Sequence, residues 1–341
     1  MKQTYSFDDV LLAPRFSDIA SRWSVDIGNN LSESIRLKLP VISSPMDTVT
    51  EGPMASTMSN AGGLGIIHRY NSIEEQASIV SDAFRSTGDM NIAAAIGVTG
   101  DYEARACALW DAGSRIICID VAHGHHSLVK RAMSVIREIM GEKVHLMVGN
   151  VATLEAFDAL AAWGADSIRV GIGGGSICST RLVTGHGVPT FQSILDCAKT
   201  TYDVKIIADG GIKTSGDMVK AFAAGADFVM VGSMLAGTKE TPGEVFFGKA
   251  GKKYKVYRGM ASAAAQSAWK GVSSTPEGVS TTVPYRGSAE DLLQNIAGGI
   301  RSGLSYSGAR SLAELRSKAS FVLQTSSGQV ESSTHILRRH K

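Results

Sequence analysis

The sequence predicts a single α/β domain of the (β/α)8-barrel class, on three observations. Short apolar runs recur eight times between Val41 and Ser233. Stretches with helical periodicity separate these runs, and no GxGxxG pattern follows the first run, as a doubly wound nucleotide-binding sheet would require. The length of 341 residues, with 44% hydrophobic content, fits one barrel or two smaller domains. The regular alternation of strand and helix favours one barrel.

The apolar runs are continuous rather than alternating, which indicates strands buried on both faces, as in a parallel sheet. In chain order they are VISSPM from Val41, GLGIIH from Gly63, IAAAIGV from Ile92, IICIDVA from Ile116, HLMVGNV from His145, SIRVGI from Ser167, VKIIADGG from Val204 and FVMVGS from Phe228. Amphipathic helices are predicted between them, for example from Ser72 to Arg85, Leu154 to Trp163 and Ser215 to Ala224.

No shift in composition divides the chain, so residues 1–341 are predicted to form one catalytic domain. A stretch rich in Ser, Thr and Gly lies between Ala261 and Thr282. About twenty residues without secondary structure in a compact protein usually form an active-site flap or are disordered. The segment of about 261–283 is therefore predicted to be a mobile flap.

Composition excludes several function classes. The formal net charge is +2 and no basic run reaches five residues, which argues against binding of nucleic acid. The N-terminus lacks the apolar stretch of a signal peptide and no window has eighteen consecutive apolar residues, so a cytoplasmic protein without a membrane partner is expected. The four cysteines lack CxxC spacing and are predicted to be reduced, with Cys107, Cys118 and Cys197 serving core packing.

Polar residues close most of the predicted strands, at the end of a barrel where active sites form. They are Asp47 and Thr48, His68, Asp120, Asn150, Asp209 and Ser233. Any one of them could be structural, but a whole set on one face indicates a polar site. Gly211, Gly232 and Ser233 follow the last two strands, where barrels often bind phosphate through backbone N–H groups, and Asp209 could accept hydrogen bonds from a ribose diol.

The segment GIGGGSICSTR, from Gly171 to Arg181, follows the sixth strand and contains Cys178. A glycine-rich backbone can approach a ligand closely, and a cysteine among hydroxyl groups in such a loop is exposed and can be activated. A packing cysteine is rarely found between glycines and hydroxyl side chains. Cys178 is therefore predicted to be a nucleophile.

These loops resemble those of a known family. GIGGGSICSTR, SSPMDTVTE from Ser43, ADGGI from Ala208, GSMLAGTKETPGE from Gly232 and YRGMAS from Tyr257 are similar to motifs of the IMP dehydrogenase and GMP reductase family, and the resemblance runs from Tyr5 to Tyr306. It implies a barrel enzyme in which a loop cysteine attacks C2 of the purine. A covalent thioimidate would then form, linked to hydride transfer with a nicotinamide cofactor.

The resemblance also implies roles for individual residues. Cys178 would be the nucleophile, with Thr180 and Glu277 moving protons to or from ammonia or water. The nucleotide would be held by Asp209 at the ribose, by Gly259 and Met260 at the base, and by Ser176, Gly211, Gly232, Ser233 and Tyr257 at the phosphate. The cofactor side would comprise Asp47, Thr48, Thr50, Asp120, Val121 and Ala122. Carbonyls of Gly173, Gly175 and Cys178 would bind K⁺, and the protein would be a homotetramer.

Which family reaction is catalysed depends on the flap. The dehydrogenase activates water with an Arg-Tyr pair on its flap, and between Ala261 and Val283 this chain has neither residue. The short span from Ser72 to Asp89 leaves no room for the CBS modules that many dehydrogenases insert after the second strand. IDVAHGHH from Ile119 resembles the reductase as well.

Other features resemble the dehydrogenase at least as well or depart from both relatives. The features that resemble the dehydrogenase at least as well are GTKETPGE and the PEGV-to-VPYRG stretch. Gly174 stands where both relatives usually have proline, and the flap lacks basic residues that the reductase places near Glu277. The prediction is a GMP reductase that converts GMP to IMP and ammonia with NADPH. The alternatives are an IMP dehydrogenase without CBS modules, oxidising IMP to XMP with NAD, and a barrel that only binds nucleotides.

Overall fold

The computed structural model describes residues 1–88, 91–248 and 251–332, and its centre is a closed barrel of eight parallel strands. The strands, in chain order, are β1 (Val41–Ser43), β2 (Leu64–Ile67), β3 (Ile92–Ile96), β4 (Ile116–Asp120), β5 (His145–Val151), β6 (Ser167–Val170), β7 (Lys205–Asp209) and β8 (Phe228–Val231). Each pairs with the next, and β8 pairs with β1 to close the barrel. The predicted barrel and all eight predicted strands are confirmed.

A helix follows each strand on the outside of the barrel. These helices are α1 (Gly52–Asn60), α2 (Ile73–Thr87), α3 (Tyr102–Asp111), α4 (Ser127–Met140), α5 (Leu154–Ala162), α6 (Thr190–Cys197), α7 (Ser215–Ala223) and α8 (Ala289–Tyr306). The three helices predicted above begin where a hydroxyl accepts a hydrogen bond from a free backbone N–H, at Ser72, Thr153 and Thr214. Helix α2 starts six residues after β2, so no module is inserted there.

Apolar side chains fill the inside of the barrel and close its N-terminal end. Ile42, Ile66, Ala95 and Met147 belong to one buried cluster inside the strands. The hairpin formed by Asn29–Asn30 and Arg36–Leu37 adds Leu31, Ile35 and Leu37 to the same cluster, beside the first residues of β2, β4 and β8. With this end plugged, the opposite end, where the strands finish, is left for a site.

Strand β8 and α8 are separated by a long excursion that contains a three-stranded antiparallel sheet of Phe246–Phe247, Lys253–Arg258 and Ser280–Pro284. A helix, Ala263–Lys270, lies between the last two strands. The prediction that 261–283 lacks secondary structure is wrong. The run AAAQSAWK is rich in alanine, Ser262 caps it by accepting from the N–H of Ala265, and the Thr and Val side chains of the final strand suit a sheet.

The two ends of the described chain meet, because Val10–Leu12 pairs antiparallel with Phe321–Leu323. The remaining elements are short: helices Thr180–Thr184, Leu312–Lys318 and Ser326–Glu331, and 3-10 turns at Phe7–Asp9, Arg22–Ser24 and Gly141–Lys143. Among the described residues, no helix is long and apolar enough to cross a membrane. Cys118 and Cys197 are buried as predicted, whereas Cys107 is only half-buried on α3, and all four thiols are free.

Candidate active site

A cavity of about 410 Å³ opens at the C-terminal end of the barrel, in the size range of small-molecule sites. Its walls come from the loops after β1, β2 and β4 to β8 and from the excursion after β8. Fourteen of the seventeen residues predicted from the sequence line it: Cys178, Thr180, Glu277, Ser176, Asp209, Gly211, Gly232, Ser233, Tyr257, Gly259, Met260, Asp120, Val121 and Ala122. Gly173 and Gly175, the predicted K⁺ ligands besides Cys178, line it too.

The loop after β6 depends on glycine to bring Cys178 over this cavity. Gly171 has a φ of 147°, and a Cβ there would stand 1.9 Å from the carbonyl oxygen of Asp209 on β7, so no other residue fits. The Cys178 thiol is exposed and donates a hydrogen bond to Thr180 Oγ1 at 3.1 Å. A thiol that is open to ligands and held next to a hydroxyl is arranged for nucleophilic attack.

Backbone hydrogen bonds join this loop to the segment that contains Glu277. The N–H of Ser179 donates to the carbonyl of Glu277 at 2.9 Å, and the N–H of Val279 donates to the carbonyl of Ile177 at 3.0 Å. Cys178 and Gly278 therefore face each other as in an antiparallel ladder. The pairing brings the Glu277 carboxylate to the cavity that Cys178 and Thr180 also line.

The end of the cavity that is predicted to bind phosphate combines glycines with hydroxyl groups. Gly210 and Gly211 have φ values of 95° and 78°, which lets the chain turn sharply after β7. Tyr257 is 5% exposed, and burial raises the pKa of its hydroxyl, although a hydrogen bond with Ser176 opposes the shift. A buried neutral hydroxyl beside backbone N–H groups suits a phosphate oxygen as ligand.

An arginine inside the barrel holds the carboxylate predicted to bind ribose. Arg169, on β6, is 6% exposed and donates to Asp120 Oδ1 at 2.6 Å and to Asp209 Oδ2 at 3.0 Å. Asn150 also donates to Asp209 Oδ2, at 2.8 Å. Burial lowers the pKa of Arg169, but the two carboxylates outweigh it and raise the pKa well above its ordinary value. These hydrogen bonds hold Asp209 through Oδ2, and Oδ1 would be the oxygen to contact a ribose diol at the predicted site.

The residue predicted to touch the base is positioned from the loop after β2. Tyr70 donates its hydroxyl hydrogen to the carbonyl of Met260 at 3.0 Å, and its ring stacks on Trp269 with centroids 5.6 Å apart. Arg69 lies beside Tyr70 and lines the same cavity. Arg69, Tyr70 and Arg169 were not predicted from the sequence as site residues. An arginine within the apolar run SIRVGI was a usable signal, because a charge in a buried strand needs a charged partner.

Three residues predicted on the cofactor side do not line the cavity. Asp47 accepts hydrogen bonds from Arg258, the shortest at 2.6 Å, and Thr48 Oγ1 accepts from the N–H of Arg258. Thr50 is completely buried and donates to the carbonyl of Ser44 at 2.7 Å. Thr50 thus does not face the cavity, and Asp47 and Thr48 fasten the Lys253–Arg258 strand to the barrel, while a role of these three residues towards a cofactor stays a prediction. His68, at the end of β2, does not line the cavity either. It is buried, and its Nε2 lies 2.9 Å from Glu51 Oε1.

The predicted K⁺ ligands are carbonyl oxygens, which suit a hard cation. The carbonyl of Gly175 already accepts from the N–H of Cys178 at 3.2 Å and retains one lone pair. The described residues include no cluster of three or more His, Cys, Asp or Glu side chains that could hold a metal. K⁺ binding by the carbonyls of Gly173, Gly175 and Cys178 stays a prediction, and further ligands would have to come from other groups.

Comparison with known proteins places these features in a family. The family model described as IMP dehydrogenase / GMP reductase domain matches residues 4–335. The chain is 34% identical to an inosine-5'-monophosphate dehydrogenase of Nitrosopumilus maritimus, with 98% of each protein covered, and 33% identical to a GMP reductase of Leishmania major, with 98% of this chain and 97% of the relative covered. It is 38% identical to an inosine-5'-monophosphate dehydrogenase of Cryptosporidium parvum, with 97% and 94% covered.

A solved structure resembles the whole barrel. The crystal structure of a Cys-to-Ala variant of GMP reductase from Trypanosoma brucei, in complex with guanosine 5'-monophosphate, superposes with a TM-score of 0.92 at 30% identity, covering 98% of both chains. The alignments to the N. maritimus and L. major relatives run over 472 and 478 residues, more than the 341 of this chain. Both a dehydrogenase and a reductase thus align over more residues than this chain has, so the shorter length does not distinguish the two activities.

Proposed function

The chain belongs to the IMP dehydrogenase and GMP reductase family of oxidoreductases acting on IMP or GMP, and we propose that it is a GMP reductase. The reaction would convert GMP and NADPH to IMP, ammonia and NADP⁺. One observation supports the choice: the 261–283 segment faces the cavity with Ala261, Gln266, Thr275, Glu277 and Gly278. Among these residues, Glu277 is the one side chain that can exchange protons, so the segment offers a partner for ammonia but no Arg-Tyr pair for water.

The residues of the cavity would act in sequence on GMP. Ser176, Gly211, Gly232, Ser233 and Tyr257 would bind the phosphate, Asp209 the ribose diol, and Gly259 and Met260 the base. The Cys178 sulfur would bond to C2 while Glu277, through Thr180, gives a proton to the departing 2-amino group, which leaves as ammonia. NADPH, bound beside Asp120, Val121 and Ala122, would supply hydride to C2. The carbon–sulfur bond would then break, releasing IMP and regenerating the thiol.

The second candidate is the dehydrogenase reaction, oxidation of IMP to XMP with NAD. One observation favours it: an adjacent Arg69 and Tyr70 line the cavity, although from the loop after β2 rather than from the flap. Against it, the Tyr70 hydroxyl is engaged with Met260, and burial raises the pKa of Tyr70, which reduces the fraction of phenolate that could take a proton from water. The homotetramer, the cytoplasmic location and K⁺ binding stay predictions beside either reaction.

Absorbance at the nicotinamide band separates the candidates. Consumption of NADPH with GMP supports the reductase, and production of NADH with IMP and NAD supports the dehydrogenase. No change in absorbance in either assay supports a barrel that only binds nucleotides. Cys178→Ala should abolish turnover, while Cys107→Ala, which alters a thiol on α3, should leave it unchanged. Glu277→Gln should lower kcat by about a hundredfold or more, as expected when a proton-transfer group is lost.

A further inference from the structure

The phosphate end of the main cavity is not closed. A second cavity, of about 310 Å³, lies directly behind it. The two cavities share Gly174, Ser176, Gly211, Ile212 and Ser233 as lining residues. Three of these, Ser176, Gly211 and Ser233, are residues that we propose to bind the phosphate. A group attached to that phosphate on the side away from the ribose would therefore enter the second cavity.

The second cavity has its own polar lining, separate from the residues proposed for catalysis. Arg181 and Lys213 line it but not the main cavity. Asp8 also lines it, and its carboxylate accepts a hydrogen bond from Lys213 Nζ at 2.7 Å. This ion pair is exposed, with 58% and 43% of the two side chains open to solvent, so it is weak and Lys213 can exchange Asp8 for another anion.

A buried hydroxyl in the same wall has no hydrogen-bond partner. Thr190, the first residue of α6, is 4% exposed, lines only the second cavity, and its Oγ1 is unpaired. Gly174 lies against it, since a Cβ at that position would stand 2.4 Å from Thr190 Oγ1. A buried hydroxyl without a partner is unfavourable, so a ligand that bonds to it recovers free energy. The position of Gly174, where both relatives usually have proline, borders this space.

We propose that the second cavity is a subsite for a phosphoryl group beyond the nucleotide's own phosphate, so that the protein binds purine nucleoside 5'-diphosphates. The subsite rests on the proposed placement of the phosphate. Arg181 and Lys213 supply positive charge, and Thr190 supplies a hydroxyl donor. A phosphoryl oxygen accepts hydrogen bonds from all three kinds of group. The reacting atoms of the purine are unaffected, because the added group extends away from Cys178.

Binding of GMP and GDP, each measured by isothermal titration calorimetry, tests the subsite. In the unaltered protein GDP should bind at least as tightly as GMP. Lys213→Met and Arg181→Met should each weaken GDP about tenfold and change the Kd of GMP less than twofold. Asp8→Asn should tighten GDP, because it removes the carboxylate that competes for Lys213. GDP that binds a hundredfold more weakly than GMP, or variants that shift both nucleotides equally, would overturn the subsite.

Thr190→Val separates a ligand-binding role from a purely structural one. Valine has nearly the same shape but no hydroxyl, so the variant should weaken GDP several-fold and leave GMP turnover unchanged. A hydroxyl with no part in ligand binding would leave both Kd values as they were. Inorganic phosphate serves as a competitor. If it occupies the subsite, it should weaken the binding of GDP more than the binding of GMP. If GMP itself does not bind, the proposed nucleotide site fails, whereas GMP binding without GDP binding overturns the subsite alone.

Discussion

At the scale of single residues, the charged group that matters most is Arg169. Its side chain is buried, and its guanidinium joins Asp120 on β4 to Asp209 on β7. Taking a charge out of water is expensive unless partners compensate it, and here two carboxylates do so. Removing the arginine would leave two partly buried negative charges facing each other.

Arg169→Met is therefore expected to lower the free energy of unfolding by about 3–5 kcal/mol. Urea denaturation followed by circular dichroism measures it. Arg36→Met is the matched control, because its ion pair with Asp26 is equally short, 2.6 Å, but lies on the surface. The control should lose less than about 1 kcal/mol. Equal losses in the two variants would contradict the role given to the buried cluster.

The cysteines should differ sharply in reactivity. Cys178 is exposed, whereas burial raises the pKa of Cys118 and of Cys197 to about 12. Because the thiolate is the reactive form, Cys178 should react with DTNB at neutral pH much faster than the two buried thiols, which should react only after unfolding. Cys178→Ser should remove the fast phase, and GMP should slow it in the unaltered protein. A fast phase that survives in Cys178→Ser would place the reactive thiol elsewhere.

The sequence indicated which side chains lie at the ends of strands, but it did not indicate the direction in which they point. Asp209 and Asp120 reach the cavity, whereas Asp47 and Thr50, in an equally polar segment after β1, turn towards Arg258 and Ser44. The residues that attract them come from distant parts of the chain. A loop sequence alone contains no information on such partners.

At the scale of elements, the strands were predictable and the helix over the cavity was not. A strand buried on both faces needs a continuous apolar run, and the sequence has such a run at each of the eight strands. The Ala263–Lys270 helix has only 8 residues, too few to be stable from propensity alone. Its stability depends on tertiary contacts such as the stack of Trp269 on Tyr70, which no local pattern predicts.

Trp269→Ala should therefore loosen the segment that positions Glu277. Loss of the stack and of the half-buried ring surface should raise the rate of hydrogen exchange across 261–279 about tenfold, because an aromatic pair contributes about 0.5–1.5 kcal/mol beyond its buried area. Exchange can be followed by mass spectrometry of peptides. Ser267→Ala, an exposed change in the same helix, should leave exchange unchanged or slow it slightly. Equal protection in both variants would show that the stack does not hold the helix.

At the scale of the whole molecule, stability should depend on pH through one histidine. His145 begins β5, is 5% exposed and lies 2.8 Å from Ser167 Oγ, and burial lowers its pKa from 6.5 to about 4. Above pH 6.5 the histidine is neutral in both folded and unfolded chains, and its contribution is fully present. As the pH falls from 6.5 towards 4, only the unfolded chain takes up the proton, so the folded state loses stability.

The expected loss is about 3 kcal/mol between pH 7.5 and pH 4, since one pKa unit corresponds to about 1.4 kcal/mol. Unfolding free energies measured over this range should fall less steeply in His145→Gln than in the unaltered protein. His186→Gln, a change at an exposed position, should keep the original pH dependence. Parallel curves for all three proteins would remove His145 as the cause.

The ladder between Cys178 and Gly278 has a consequence for how the site can open. Withdrawal of the Glu277 segment from the mouth breaks the hydrogen bonds from Ser179 and Val279, which also fix the backbone on both sides of the sulfur. The thiol is already exposed with this ladder intact, so a ligand can reach it without such a movement. If the segment did withdraw, the backbone around the sulfur would lose these hydrogen bonds at the same moment, so the position of Glu277 and the orientation of Cys178 would change together.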